Sequence, residues 1–289
     1  MNNTASERSP FRSDLLAGKR ILITGGGTGL GKAMAHRMAA LGALPVICGR
    51  RSEVLTATAQ EIYAETGTTV QTVSCDIRDS AAVQNMIDTV WQTSPLDVLI
   101  NNAAGNFLAR TETLSARAFD AVTSIAMNGN AYCSIGVGRR WIDSGRSGVI
   151  LNVLTAGAAG GRAFTVPLTM AKAAMLAMTK SLAVEWGPKG VRSIAVAPGL
   201  FPTPGAWQQL YPEDRDKQAT MMRAIPVGRY GKHHEFADLC AFLVSDAASY
   251  LNGDMITIDG GRALKGMDVD DLLSWPAEKW DAIKQARKR

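Results

Sequence analysis

The residues best placed to do chemistry begin with Gly25-Gly26-Gly27-Thr28-Gly29-Leu30-Gly31, directly after the short apolar run Ile21 to Ile23. Glycine at that density lets a backbone approach a pyrophosphate closely. The helix expected next, from Lys32 to Leu41, turns free N–H groups and a partial positive charge toward such phosphates. The spacing is Gly-x-x-x-Gly-x-Gly rather than Gly-x-Gly-x-x-Gly, and an ordinary strand-to-helix turn also needs glycines. Other distinctive residues follow later apolar runs: Gly49-Arg50-Arg51, Asp76-Ile77, Asn101 to Gly105, Thr155 and Pro198-Gly199. Ligands of open parallel sheets bind beyond the carboxyl ends of the strands. A set of this kind, in chain order and at strand ends, is hard to obtain by chance.

Those ends need strands to sit on, and strand-like and helix-like stretches alternate along the chain. Strands are expected at Ile21 to Ile23, Leu44 to Cys48, Val70 to Ser74, Leu96 to Ile100, Gly148 to Val153, Val191 to Val196 and Met255 to Ile258. Helices are expected at Glu53 to Thr66 with Ser52 as N-cap, Ser80 to Thr93, Ser115 to Ile142, Val166 to Trp186 and Glu235 to Leu243. Repeated βα units imply an α/β fold: one doubly wound parallel sheet of about seven strands, of Rossmann type, with helices on both faces. The expected organisation is a lead-in over 1–18, one domain over 19–261 and a tail over 262–289. A looser stretch, 200–224, is rich in proline and methionine.

The chain has 289 residues, 46% hydrophobic and 20% charged, which is ample for one sizeable core. Its net charge of +5 is modest and scattered, so nucleic acid is not implied, and a mild positive bias suits an anionic small molecule. The basic run Lys284 to Arg289 is expected to be a solvated tail. Cys48, Cys75, Cys133 and Cys240 lie far apart without metal-ligand spacing, so free thiols in a reducing, cytoplasmic setting are expected. His233-His234 has no third ligand nearby and is expected to be a solvated helix start, with no metal site. No apolar run approaches the ~20 residues that span a bilayer. Met1 to Asp14 has no apolar centre of the kind a signal peptide carries.

These residues resemble the short-chain dehydrogenase/reductase family, over Lys19 to about Gly261. The resemblance rests on Thr24 to Gly31, Asn101 to Gly105, Asn128, Lys172, Pro198-Gly199 and Asp259-Gly260-Gly261. Within the family the chain is most similar to the 2,4-dienoyl-CoA reductases, through Asn102 to Phe107, Ala183 to Gly187 and Pro226 to Gly231. The resemblance implies a nicotinamide cofactor held by Gly25, Thr28, Gly29, Leu30, Gly31, Asn102, Ala103, Ala104 and Lys172, with Asp76 and Ile77 at the adenine. Pro198, Gly199 and Thr203 resemble the nicotinamide contacts. Arg50 and Arg51 stand where family members that use NAD carry an acid. A guanidinium pairs with a 2′-phosphate that a carboxylate would repel, so NADPH is the expected cofactor. Asn106, Phe107, Phe164, Leu168 and Phe201 are the candidates for substrate contact. The stretch with Phe201, Trp207, Leu210, Tyr211, Met221 and Met222 falls where the family places a substrate lid. The resemblance also implies a homotetramer, for which Trp275 and Trp280 are candidate contacts.

One part of the family pattern is missing. The usual Tyr-x-x-x-Lys keeps its lysine as Lys172, but the position four residues earlier is Leu168. The upstream tyrosine of mitochondrial-type dienoyl reductases falls on Gly157, and the carboxylate expected near Asn128 in the peroxisomal type falls on Ala126. A positioned general acid contributes typically ~10²–10⁴-fold. Reduction of a conjugated acyl thioester tolerates its loss best, because the charge spreads into an enolate and a later proton can come from water. The expected activity is NADPH-dependent reduction of an enoyl- or dienoyl-CoA, with Lys172, Asn128 and Thr155 as the catalytic set. Tyr132, one helical turn after Asn128, and Tyr211 are the alternative proton sources. A carbonyl reductase with a relocated acid, or an inactive cofactor-binding sensor or structural subunit, remain open as alternatives.

Overall fold

The computed structural model describes residues 11–203, 220–265, 272 and 274–280. Its centre is a sheet of seven parallel strands: β1 (Arg20–Thr24), β2 (Leu44–Gly49), β3 (Gln71–Ser74), β4 (Val98–Asn101), β5 (Gly148–Val153), β6 (Val191–Pro198) and β7 (Met255–Ile258). The spatial order is β3-β2-β1-β4-β5-β6-β7. The direction of winding therefore reverses between β1 and β4, which opens a crevice at their carboxyl ends.

Among the described residues the faces are covered by α1 (Gly29–Ala40), α2 (Ser52–Thr66), α3 (Ser80–Thr93), α4 (Ala116–Thr123), α5 (Asn130–Asp143), α6 (Val166–Trp186) and α7 (His233–Val244). Strand side chains alternate between faces, so Ile21 and Ile23 enter one core and Leu22 enters the other. The first core packs Met34 and Met38 of α1, Leu55 and Ile62 of α2 and Phe236 of α7. The second packs Met86 and Val90 of α3, Val137 and Trp141 of α5 and Trp186 of α6. Trp141 is fully buried and its Nε1–H donates to Leu96 O at 2.6 Å. The four thiols are buried and unpaired, Cys240 in the first core and Cys48, Cys75 and Cys133 in the second. Burial pushes all four above the ordinary thiol range, Cys75 to about 11.

The order and type of the expected elements match the structure, and the differences lie at their ends and in one interior. Residue 51, not Ser52, is the N-cap of α2; Arg51 gives it no side-chain bond, and Gly67 ends it in the left-handed conformation. The strand expected from Leu96 begins at Val98, β6 runs on to Pro198, and α7 starts two residues early at His233. The helix expected over Ser115 to Ile142 is not a single α-helix. Between α4 and α5, Ser124–Gly129 winds as a π-helix. Helical periodicity in sequence does not register one widened turn. Gly129 lies on Ile77 there, and a Cβ at 129 would stand 2.6 Å from Ile77 Cγ1. Trp207, Leu210, Tyr211 and Lys284 to Arg289 lie outside the described residues.

Helices α5 and α6 approach at another glycine. A Cβ at Gly138 would stand 2.6 Å from Trp186 Cη2, inside a ring that cannot retreat. Gly138→Ala is therefore expected to lower stability by about 1–3 kcal/mol, the usual effect of overpacking. A urea midpoint at or above that of the parent protein would contradict the packing described.

Candidate active site

The crevice is built from the β1 end upward. Thr24 is buried, and its hydroxyl accepts the N–H groups of Asn102 and Ala103, each at 3.0 Å. The Asn102 side chain returns the contact by donating Nδ2 to Thr24 O at 2.9 Å. The β1 and β4 ends are thereby stitched together. Gly25 then turns with φ of +65°, and Gly29 with φ of +54°, conformations that cost a residue with a Cβ. A Cβ at Gly31 would stand 2.7 Å from Asn102 Nδ2 and would collide with Gly25 O. Helix α1 can therefore begin flush against the loop only because Gly31 is bare. Thr28 is its N-cap, exposed, and spends no side-chain bond on capping. The first N–H groups of α1 are left for an anion. These residues fit a dinucleotide pyrophosphate.

The other predicted cofactor residues stand after β2, β3, β4 and β6. Arg50 and Arg51 are exposed after β2. Asp76, after β3, is gripped by Arg78 through Nε at 2.9 Å and its own backbone at 3.1 Å from Oδ1. The Arg78 guanidinium, with a smaller contribution from Arg50, holds the Asp76 carboxyl below its ordinary range. Ile77 is buried in the second core under Gly129. Asn102 and Ala103 are half-buried and Ala104 is exposed. Beyond β6, Gly199 N–H donates to Ile258 O at 2.9 Å. Thr203 comes back over the loop, with its Cγ2 3.3 Å from where a Gly29 Cβ would stand. Thr203 and the glycine loop, far apart in sequence, thus share one site, with Pro198 and Gly199 at its base.

Lys172 lies on α6, is 3% exposed and donates Nζ to Val153 O, the last carbonyl of β5, at 2.5 Å. Burial alone pulls its pKa down to about 8. Thr155 and Asn128 are half-buried, and neither side chain has a hydrogen-bond partner among the described residues. Leu168 is half-buried on the first turn of α6. Position 157 is open: a Cβ there would stand 3.8 Å from Thr155 Oγ1 and 3.6 Å from Arg162 Cβ. Of the two candidate phenols, Tyr132 packs against the second core, and Tyr211 lies outside the described residues. The π-helical turn also breaks the simple four-residue spacing from Asn128 to Tyr132. Of the substrate candidates, Asn106 and Phe107 are half-buried, and Phe164 is 58% exposed at φ +62° with its carbonyl bonded by Ala109 N–H at 3.0 Å. Phe201 packs on Phe236 and also lines a cavity of about 170 Å³ with Leu200, Ile225 and Gly260. The His233-His234 pair does begin α7 and His234 is exposed, but His233 is half-buried: its Nε2 bonds Pro202 O at 2.7 Å and ties α7 to the segment after β6.

A buried polar chain was not legible as part of the site. Asn101 Nδ2 donates to Ser134 Oγ at 2.7 Å and to Asn152 Oδ1 at 2.8 Å. Asn152 passes on to Thr179 Oγ1 at 2.9 Å. Ser134 donates to Asn130 O at 2.9 Å. All five are at most 1% exposed. Polar residues inside apolar strands and helices were the available signal, and their meaning needed the fold.

This constellation defines an oxidoreductase that binds a nicotinamide cofactor. The family model described as enoyl-(acyl carrier protein) reductase matches residues 25–263. A Bacillus subtilis relative named "probable 2,4-dienoyl-CoA reductase" is 44% identical over 248 residues, 85% of this chain and 97% of its own. A Danio rerio relative named as a peroxisomal 2,4-dienoyl-CoA reductase is 35% identical over 91% of this chain and 88% of its own. A solved gluconate 5-dehydrogenase from Burkholderia cenocepacia, in complex with NADP and tartrate, superposes with a TM-score of 0.82 at 27% identity, over 88% of this chain and 99% of its own. The chain belongs to the short-chain dehydrogenase/reductase family.

Lys172 gives this site a pH signature. Its folded pKa of about 8 lies below the 10.5 of a free lysine. Between those values the unfolded chain binds the extra proton, so stability rises with pH across that window and is flat below it. Lys172→Met is expected to abolish the rise. Parallel melting-temperature curves for the two proteins from pH 8 to 10.5 would contradict it.

Proposed function

We propose that this enzyme is an NADPH-dependent reductase of a conjugated acyl thioester, a 2,4-dienoyl- or enoyl-CoA. The observation that carries this is a complete cofactor crevice around a buried lysine, with leucine and glycine where the family's phenol stands. The names of the Bacillus and Danio relatives support the substrate class. Two exposed arginines after β2, with Asp76 already neutralised by Arg78, support a 2′-phosphate on the cofactor.

When bound, the cofactor supplies a hydride to the conjugated carbon. Lys172, fixed by Val153 O, keeps its remaining ammonium protons for the ribose hydroxyls. The negative charge that develops on the substrate spreads to the thioester oxygen. The Thr155 hydroxyl and the Asn128 amide, both without protein partners among the described residues, are donors for that oxygen or for an ordered water. The proton then reaches carbon from that water, which no phenol need deliver. A ketone offers no such delocalisation, so it would suffer most from the missing acid. Exposed Ile135 on α5 and Val184 on α6 give a homotetramer an apolar surface to use.

The test is NADPH consumption with trans-2-enoyl-, 2,4-dienoyl-CoA and simple ketones. Turnover of the thioesters and not the ketones is expected. Tight NADPH binding without any turnover would favour a sensor, and ketone turnover a carbonyl reductase. Lys172→Ala is expected to weaken NADPH roughly tenfold or more in a fluorescence titration and to abolish hydride transfer. Arg50→Glu is expected to cost roughly tenfold or more in NADPH affinity while leaving NADH nearly unchanged. Equal loss for both cofactors would remove Arg50 from the 2′-phosphate.

A further inference from the structure

The π-helical turn over Ser124–Gly129 carries Asn128, and the residue that closes it is Asn130. In an α-helix the backbone N–H of residue 130 would bond the carbonyl of residue 126. Here that N–H goes to Met127 O instead. Ala126 O is buried with its residue, and the Asn130 side chain covers it, donating Nδ2 at 3.0 Å. The same amide nitrogen donates to Ala103 O at 3.2 Å, in the loop that follows β4. Asn130 is 0% exposed. Its main-chain carbonyl accepts the Ser134 hydroxyl, itself bonded by Asn101 of β4. One side chain therefore replaces a helix bond at the widened turn and anchors that turn to the cofactor side of the crevice. Its Oδ1 is buried with no partner, so the amide is oriented by its two donations alone.

We infer that Asn130 is a positioning residue: its amide stabilises the π-helical turn and thereby aims Asn128 into the crevice. This rests on the role of Asn128 given above. An α-helical turn at this point would rotate Asn128 about the helix axis and take its amide off the substrate. A valine at 130 keeps the bulk and removes the side-chain donor from Ala126 O and Ala103 O. A threonine has nearly the same shape, and its hydroxyl can bond the carbonyl four residues back. The pair differs by one donor, and both substitutions place the same β-branched bulk in the helix.

The experiment compares Asn130→Val with Asn130→Thr. Hydrogen exchange of the protein, without cofactor or substrate, is expected to be faster in Asn130→Val by roughly tenfold over residues 124–130, with Asn130→Thr close to the parent. NADPH affinity is expected to stay within about threefold in both, because Thr24 still holds the N–H groups of Asn102 and Ala103. With an acyl thioester, kcat is expected to fall up to roughly 100-fold in Asn130→Val with KM little changed, and to recover in Asn130→Thr. Equal exchange in the two variants, or a kcat no better in threonine than in valine, overturns the inference. Exchange is read without turnover, so a protein that reduces no thioester would sink the proposed substrate and leave this comparison decisive.

Discussion

The structure depends first on a single hydroxyl. Thr24 accepts two backbone N–H groups from the start of the loop after β4, and Asn102 donates back to Thr24 O. These bonds close the carboxyl ends of β1 and β4 at the place where the winding reverses. Without them the loop after β4 would lose the protein partner of two half-buried N–H groups. The stitch also fixes where Asn102 Nδ2 stands, and together with Gly25 O it leaves residue 31 no room for a Cβ. Helix α1 then starts close enough to the turn to present its free N–H groups to a phosphate. One threonine thus sets the cofactor site by determining how two neighbouring strands end.

The side of the crevice that carries Lys172 is organised by a second device, a line of buried amides and hydroxyls. It runs from Thr179 on α6 through Asn152 and Asn101 on adjacent strands to Ser134 and Asn130 on α5. Such a line costs desolvation and returns geometric precision through its bonds, and here Asn101 Oδ1 and Asn130 Oδ1 stay buried without a partner. It holds α5 and α6 in register with the sheet, and those helices carry Asn128's neighbour and Lys172. Lys172 lies on the same helix as Thr179, a cation buried against one carbonyl and less basic than in water. Desolvation makes it a group that gains from any ligand oxygen placed beside it.

The sheet was legible because its signal is repeated. Each apolar run leads into a glycine, an acid, an asparagine, a threonine or a proline, and Gly148–Val153 and Val166–Trp186 have in the structure the bounds their patterns predict. The glycine loop was legible for the same reason that it functions, since only a bare backbone fits at residue 31. The π-helical turn was not, because Ser124 to Gly129 has the composition of an ordinary helix and the widening is imposed by tertiary bonds to Asn130. His233 read as a surface residue because its partner, Pro202 O, is separated from it by the whole segment before α7. The Asn101, Asn152 and Thr179 chain was invisible for a similar reason: each looks like a tolerated polar residue until the sheet brings them within hydrogen-bond distance.

The four cysteines divide unequally between the two faces of the sheet, one on the α1, α2 and α7 side and three on the α3, α5 and α6 side. None is accessible, and burial keeps each as an inert thiol. Alkylating reagents and mild oxidants should therefore pass over the folded enzyme and react only as a layer opens. The thiols become internal clocks, and a chain that loosens on one side before the other would show two distinct labelling rates within a single molecule.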